Sequence, residues 1–166
     1  MSGKITSGLM SSLTDNWATP IEVFNELNKE FGFTLDVCAS KDNHKCDRYF
    51  TVEDDGLKQV WDGVNWMNPP YGDVIPKWVK KAYETAKAGY TVVGLVPART
   101  DTAWFQDYCM AAHEIRFIRG RLKFGGAKTS APFPSAIIVW RPGERESQGY
   151  KYGKTLNLLR RETAGT

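Results

Sequence analysis

The chain has little cysteine and histidine: three and two residues in 166. Cys38, Cys46 and Cys109 are odd in number and come with no secretory signature, so a disulfide framework is not expected. Together with His44 the first two read C-x5-H-x-C, and no C-x2-C pair exists. That spacing fits no common zinc pattern, so no metal is expected and the thiols read as buried side chains. No apolar run approaches the ~18 residues that a spanning helix needs, which excludes a transmembrane segment and leaves no membrane partner. The first residues lack an apolar stretch of signal-peptide length, giving the expectation of a cytoplasmic protein. There is no G-x-G-x-x-G, which tells against a nucleotide-binding oxidoreductase, and no Pro-Cys pair, internal repeat or low-complexity block.

What is present is ordinary for one soluble domain with one core: hydrophobic residues make up 42% and charged residues 25%. The net charge is only +3, but it is unevenly spread. Glu22 to Asp55 holds nine acids against four Lys or Arg, whereas residues 115–134 hold Arg116, Arg119, Arg121, Lys123 and Lys128 and no acid. One half suits a cationic small molecule and the other an anionic polymer; the alternative is two solvated faces.

The pattern predicts residues 1–14 as a mobile Ser/Gly/Thr-rich arm, 15–142 as a single domain and 143–166 as a polar tail. A helix begins near Pro20, with Thr19 as its cap and Glu22 completing a capping box, and ends at Gly32. Short apolar strands are expected at Phe33–Cys38, Tyr49–Thr51, Val64–Met67, Thr91–Val96, Ile115–Ile118, Arg121–Phe124 and Ala136–Trp140. Pro97 stops the fourth of these. Ile75, Trp78, Val79, Ala82, Tyr83 and Ala86 mark the clearest helix. Asp101 caps another, which carries Trp104, Phe105, Tyr108 and Ala112. Apolar strands alternating with amphipathic helices make an α/β fold with a mostly parallel sheet. Ligands of such sheets bind beyond the carboxyl ends of the strands. Three polar clusters fall at strand ends: Asp36-Val37-Cys38-Ala39, Asn68-Pro69-Pro70-Tyr71 and Pro97-Ala98-Arg99-Thr100-Asp101.

Asn68-Pro69-Pro70-Tyr71 carries the most chemistry. Paired prolines hold the backbone extended, so the carbonyls cannot fold back into a helix. The Asn68 amide oxygen and the Pro69 carbonyl are two fixed acceptors, and Tyr71 adds a flat face. That set grips a planar exocyclic amine. The bland alternative is a proline-rich loop with a surface tyrosine.

These residues resemble the D/N-P-P-Y/F motif of amino-methyltransferases that use S-adenosylmethionine (AdoMet). More closely, the chain is similar to the phage-type DNA N-6-adenine methyltransferases over roughly residues 16–140. The likeness rests on Trp17-Ala18-Thr19-Pro20, Asp36-Val37-Cys38-Ala39-Ser40, Asp54-Asp55-Gly56-Leu57 with Trp61, Asn68-Pro69-Pro70-Tyr71-Gly72 with Trp78, and Pro97-Ala98-Arg99-Thr100-Asp101 with Trp104-Phe105. It implies a compact Rossmann-like AdoMet methyltransferase sheet, mostly parallel with an antiparallel final strand. It also implies methyl transfer from AdoMet to adenine N6 in double-stranded DNA. By resemblance Asp36 lies near the methionine part of the cofactor, with Val37, Cys38 and Ala39 letting the backbone approach. Asp54 or Asp55 meets its adenine amine, the Trp17, Thr19 and Pro20 segment packs on it, and Asn68 to Tyr71 hold the target base. Each also has a plainer reading: Asp36 as a loop cap, Trp17 as a core anchor, Asp54 and Asp55 as turn formers.

The pattern departs from the wider family in two places. Ser40-Lys41-Asp42-Asn43 stands where a glycine-rich turn is usual. Only 32 positions separate Asp36 from Asn68, so the sheet is shortened between the first strand and the tetrapeptide. The ribose-binding acid is left open between Asp47 and Glu53.

A base inside a duplex cannot enter such a pocket, so the nucleotide has to flip. Tyr71, with Phe124 or Phe133, offers stacking. Residues 119–128 read as a DNA-contacting hairpin through Arg119, Arg121, Lys123, Phe124 and Lys128, with Arg99 and Phe133 as further candidates. The alternatives are an AdoMet enzyme acting on a protein glutamine or an RNA guanine amine, and a non-catalytic DNA-binding protein of the same fold.

Overall fold

The structure is a computed structural model and describes residues 17–144. The expectation of a mobile arm over 1–14, and that of a polar tail over 143–166 apart from its first two residues, lie outside the described residues.

Ile21–Phe31 forms α1, whose Val23, Phe24 and Leu27 are buried, and Gly32 ends it in the left-handed region at φ 64°. Then come β1 (Leu35–Asp36), β2 (Arg48–Tyr49) and β3 (Asn65–Met67). α2 (Ile75–Lys87) buries Trp78, Val79, Ala82 and Ala86, the face its spacing predicts. β4 (Val92–Pro97), β5 (Glu114–Phe117) and β6 (Ser135–Trp140) complete the sheet.

The strand order is β2-β1-β3-β4-β6-β5. The first four strands are parallel, and β6 runs antiparallel to both neighbours. This is the expected mostly parallel Rossmann-like sheet with an antiparallel final strand. The core lies on both faces because side chains alternate along each strand. Val92 and Val96 pack with Trp78 and Val79 of α2, whereas Val93 and Leu95 pack with Phe24 and Leu27 of α1. No helix among the described residues is long and apolar enough to cross a membrane.

Several local expectations are corrected. Thr19 does not cap α1: the Pro20 carbonyl accepts from Val23 and Phe24, and the Thr19 hydroxyl is buried without a partner. Most strands are shorter than the apolar runs, and Pro97 ends β4 from inside, opposite Ser135. The helix after Asp101 runs only over 103–109, and its larger part, Phe105–Cys109, is wide-pitched and closed by Met110 N–H to the Phe105 carbonyl at 2.9 Å. Its start is set by the Thr102 hydroxyl, which accepts from Phe105 N–H at 3.3 Å. Arg121–Phe124 is no strand, and the hairpin is a loop. Gly120, Gly125 and Gly126 sit at φ 79°, 58° and 72°, which suits glycine and breaks a ladder. Ala131 N–H closes the loop on the Leu122 carbonyl at 2.8 Å.

Candidate active site

The chain leaves β1 for β2 on one side and returns to β3 on the other. A crevice therefore opens between the carboxyl ends of β1 and β3, where ligands of such sheets bind. The crossover through β2 contains no α-helix, only a helical turn at Gly56–Lys58, which is how the interval from Asp36 to Asn68 stays short.

A cavity of about 90 Å³ lies at this end. Val37, Cys38 and Ala39 form one wall, Phe50, Thr51 and Val52 a second, and Asp55, Gly56 and Leu57 a third, with Pro70, Val74 and Trp78 closing it. Gly56 is required there: a Cβ would stand 2.3 Å from the Val37 carbonyl oxygen. Beside it Asp55 holds φ 54° without being glycine, a strained conformation at a cavity wall. Asp54 is not among the residues that line the cavity, and its carboxylate accepts from the Thr51 N–H at 2.8 Å and hydroxyl at 3.1 Å. Asp47 and Glu53 do not line it either.

Asp36 closes β1 and is 2% exposed. Its carboxylate accepts from Lys45 N–H at 3.0 Å and Cys38 N–H at 3.3 Å, pinning the loop that follows. Burial nevertheless raises its pKa to about 7, against the lowering effect of those two bonds. Burial also pushes the Cys46 thiol up to about 12 and raises that of Cys109, so both stay protonated. His44 stacks on Tyr49 at 4.1 Å, and among the described residues no cluster of metal-ligating side chains forms.

Asn68, Pro69 and Pro70 are buried and Tyr71 is half-buried. Asn68 Nδ2 donates to the Trp17 carbonyl at 2.7 Å. Trp17 in turn packs 5.4 Å from Tyr71, 5.4 Å from Phe124 and 5.2 Å from Phe133. The Gly125 N–H reaches the Ala18 carbonyl at 3.0 Å, which ties the glycine loop to the same spot. Pro70 thus faces the cavity, and Tyr71 faces an aromatic cluster.

Among the described residues, the buried side-chain polar atoms with no partner are Thr19 Oγ1, Asn68 Oδ1, Tyr71 OH, Trp78 Nε1 and Ser135 Oγ. Unmade hydrogen bonds of this kind are costly, each about 1–3 kcal/mol, and rare. All five belong to segments at this end of the sheet, two of them in the tetrapeptide. A polar ligand satisfies such atoms.

The remaining candidates sort as follows. Val37, Cys38, Ala39 and Asp55 come together on the cavity. Trp17, Thr19 and Pro20 sit beside the tetrapeptide rather than on that wall. Arg119, Arg121, Lys123 and Lys128 are exposed on the glycine loop, and Arg99 is exposed with its guanidinium 5.7 Å over the Phe133 ring. Phe124 and Phe133 are 3% and 7% exposed, so in this state they pack inside rather than face a polymer. Arg116 is also withdrawn from the basic run: it is buried in a fork with Glu30 at 2.6 and 2.7 Å and bonded to Glu114. Sequence reasoning missed Phe50, Leu57, Val74 and Ser135. It read Trp78 as core, since helical spacing shows a buried face but not an unpaired indole N–H.

The strand order, the shortened crossover and the proline-locked turn at the switch point define a compact fold of the Rossmann-like methyltransferase type. A family model described as DNA N-6-adenine-methyltransferase (Dam) matches residues 6–160. A protein of Escherichia phage T1 named DNA N-6-adenine-methyltransferase is 37% identical over 117 residues, 67% of this chain and 48% of that protein. The chain therefore spans about half the length of that relative. A protein of the same name from Haemophilus phage HP1 (strain HP1c1) is 35% identical over 145 residues, 82% of this chain and 84% of its own. The chain belongs to the DNA N-6-adenine-methyltransferase (Dam) family.

Proposed function

We propose that this chain transfers a methyl group from AdoMet to the N6 amine of an adenine flipped out of double-stranded DNA. The observation that carries this is Asn68, just past the end of β3: its amide is anchored through nitrogen and its oxygen is left buried and unpaired.

The residues present fit AdoMet. The cavity is walled by apolar side chains and by strand-end backbone, Gly56 lets its wall approach the Val37 carbonyl and the Trp78 ring closely, and Trp78 Nε1 is an unused donor on its wall. Val37, Cys38, Ala39, Asp55 and Pro70 would hold it, with Trp17, Thr19 and Pro20 covering from the amino-terminal side and Asp36 pinning the loop from behind through its bonds to Cys38 and Lys45 N–H. AdoMet supplies, when bound, a methyl group already activated for displacement.

The protein's task is then to prepare the amine. The adenine N6 lone pair is delocalised into the ring and is a poor nucleophile. Asn68 Oδ1 and the Pro69 carbonyl accept its two N–H bonds, which localises the pair and aims it at the crevice. Neither group is a base, so the proton released as the N–C bond forms passes to water. Positioning and fixed dipoles do the work, with no covalent enzyme intermediate. The protonated Cys46 and Cys109 take no part.

Tyr71 supplies the stacking face for the flipped base, and entry requires the Trp17–Tyr71–Phe124–Phe133 cluster to part. Arg99, Arg119, Arg121, Lys123 and Lys128 contact phosphates, which position the duplex without reading it.

The test is incubation with methyl-labelled AdoMet and, in separate arms, duplex DNA, RNA and protein. Label is expected in DNA and, after digestion, on adenine N6. Label on RNA guanine or protein glutamine instead, or DNA binding with no transfer in any arm, overturns the proposal.

A further inference from the structure

The two ends of the Asn68 amide stand in opposite surroundings. Nδ2 meets the Trp17 main-chain carbonyl at 2.7 Å, and Oδ1 is buried without a partner. A carbonyl has no proton to give, so whatever faces it must be a donor. That contact decides which end of the amide points at the ligand. The carbonyl is itself held on two sides. The Trp17 indole is wedged among Tyr71, Phe124 and Phe133, and the next carbonyl along, that of Ala18, accepts from Gly125 at 3.0 Å.

We propose that Trp17, through its main-chain carbonyl, is the positioning residue for the Asn68 amide, and that it makes position 68 a site for asparagine and against an ionised aspartate. The proposal rests on the reading of Asn68 as an acceptor for the adenine amine. In Asn68→Asp a carboxylate oxygen would replace Nδ2, acceptor against acceptor, in a part-buried contact. A proton on that oxygen restores the donor and leaves the other oxygen as the acceptor. The variant therefore regains the wild-type pattern only when its carboxyl is protonated.

The titratable groups on the neighbouring described elements are the Tyr71 phenol in the same turn, Asp36 at the end of the adjacent strand, and Asp55 on the cavity wall that Pro70 closes. All three are shared by wild type and variant, so the ratio of their rates at each pH isolates residue 68.

The experiment measures kcat for DNA methylation by wild type, Asn68→Asp and Asn68→Ala from about pH 5.5 to about pH 8.5, with a melting curve for each. Asn68→Ala is expected to lose about a hundredfold or more throughout. Asn68→Asp should be as poor at the alkaline end, and its rate relative to wild type should rise about tenfold or more toward the acid end. A ratio that stays flat with pH, whether the variant is active or dead, overturns the positioning role. Wild-type rates from Asn68→Ala overturn instead the reading of Asn68 on which it rests. A second measurement needs no active variant: in the 15N spectrum of the cofactor-free protein, the Asn68 side-chain NH2, identified by its loss in Asn68→Ala, should exchange slowly with solvent. Fast exchange overturns the assignment of Nδ2 to the Trp17 carbonyl.

Discussion

Gly56 lies so close to Val37 that a single added carbon on it would stand 2.3 Å from the Val37 carbonyl oxygen and 2.9 Å from the Trp78 ring. Backbone on one side and a buried indole on the other leave little room to yield, so Gly56→Ala must push the third cavity wall outward. AdoMet affinity is expected to fall about tenfold or more, with a lower melting temperature. Calorimetric titration with the cofactor measures this, and unchanged affinity would mean the cavity is not where it binds.

Asp36 gives a pH dependence with a defined sign. Its folded pKa is raised from 3.8 to about 7 by burial, so between those values the folded chain holds a proton that the unfolded chain has lost. Stability is then fully present below about pH 4 and declines as pH rises toward 7, by an amount on the order of 4 kcal/mol at most. Asp36→Asn should remove that slope. Urea unfolding of both proteins at about pH 5 and pH 8 reads the difference, and parallel pH dependences would contradict it.

The basic run from Ile115 to Pro134 splits into two roles. Arg116→Gln should lower stability, because it breaks a buried fork to Glu30 and Glu114, and leave the salt dependence of DNA binding unchanged. Arg121→Gln or Lys123→Gln should leave stability unchanged and reduce the slope of log K against log salt by about one. Fluorescence titrations at several salt concentrations separate the two, and equal slopes in all three variants would show that the loop does not meet phosphate.

The Tyr71 phenol stays neutral, because burial raises its pKa, so its proposed part in base binding rests on the ring. Tyr71→Phe keeps the stacking face and should retain most DNA affinity. Tyr71→Ala should weaken DNA binding by about 1–3 kcal/mol while the KM for AdoMet changes little. An equal loss in both constants would place Tyr71 in the scaffold alone.

The parts of this fold legible from residues are those where burial follows a period. The spacing of Ile75, Trp78, Val79, Ala82 and Ala86 marks α2, and apolar runs breaking into Asp36, Asn68 and Ala98-Arg99 locate three strand ends that the sheet then brings side by side. What failed depends on things a period does not carry. Arg121–Phe124 alternates like a strand, but Gly120, Gly125 and Gly126 take the backbone through the left-handed region. Thr19 has a capping residue's chemistry and position, yet its hydroxyl is turned inward, unpaired. Trp17 was legible as part of a motif; that its carbonyl would seize the Asn68 amide was not, because the two are 51 residues apart.

The most direct test is a crystal structure with S-adenosylhomocysteine. Its sulfur is expected in the crevice between β1 and β3, facing Asn68 Oδ1 and the Pro69 carbonyl, with its adenine against Asp55, Leu57 and Trp78. A sulfur lodged elsewhere, or a tetrapeptide walled off from it by the closed aromatic cluster, would contradict it.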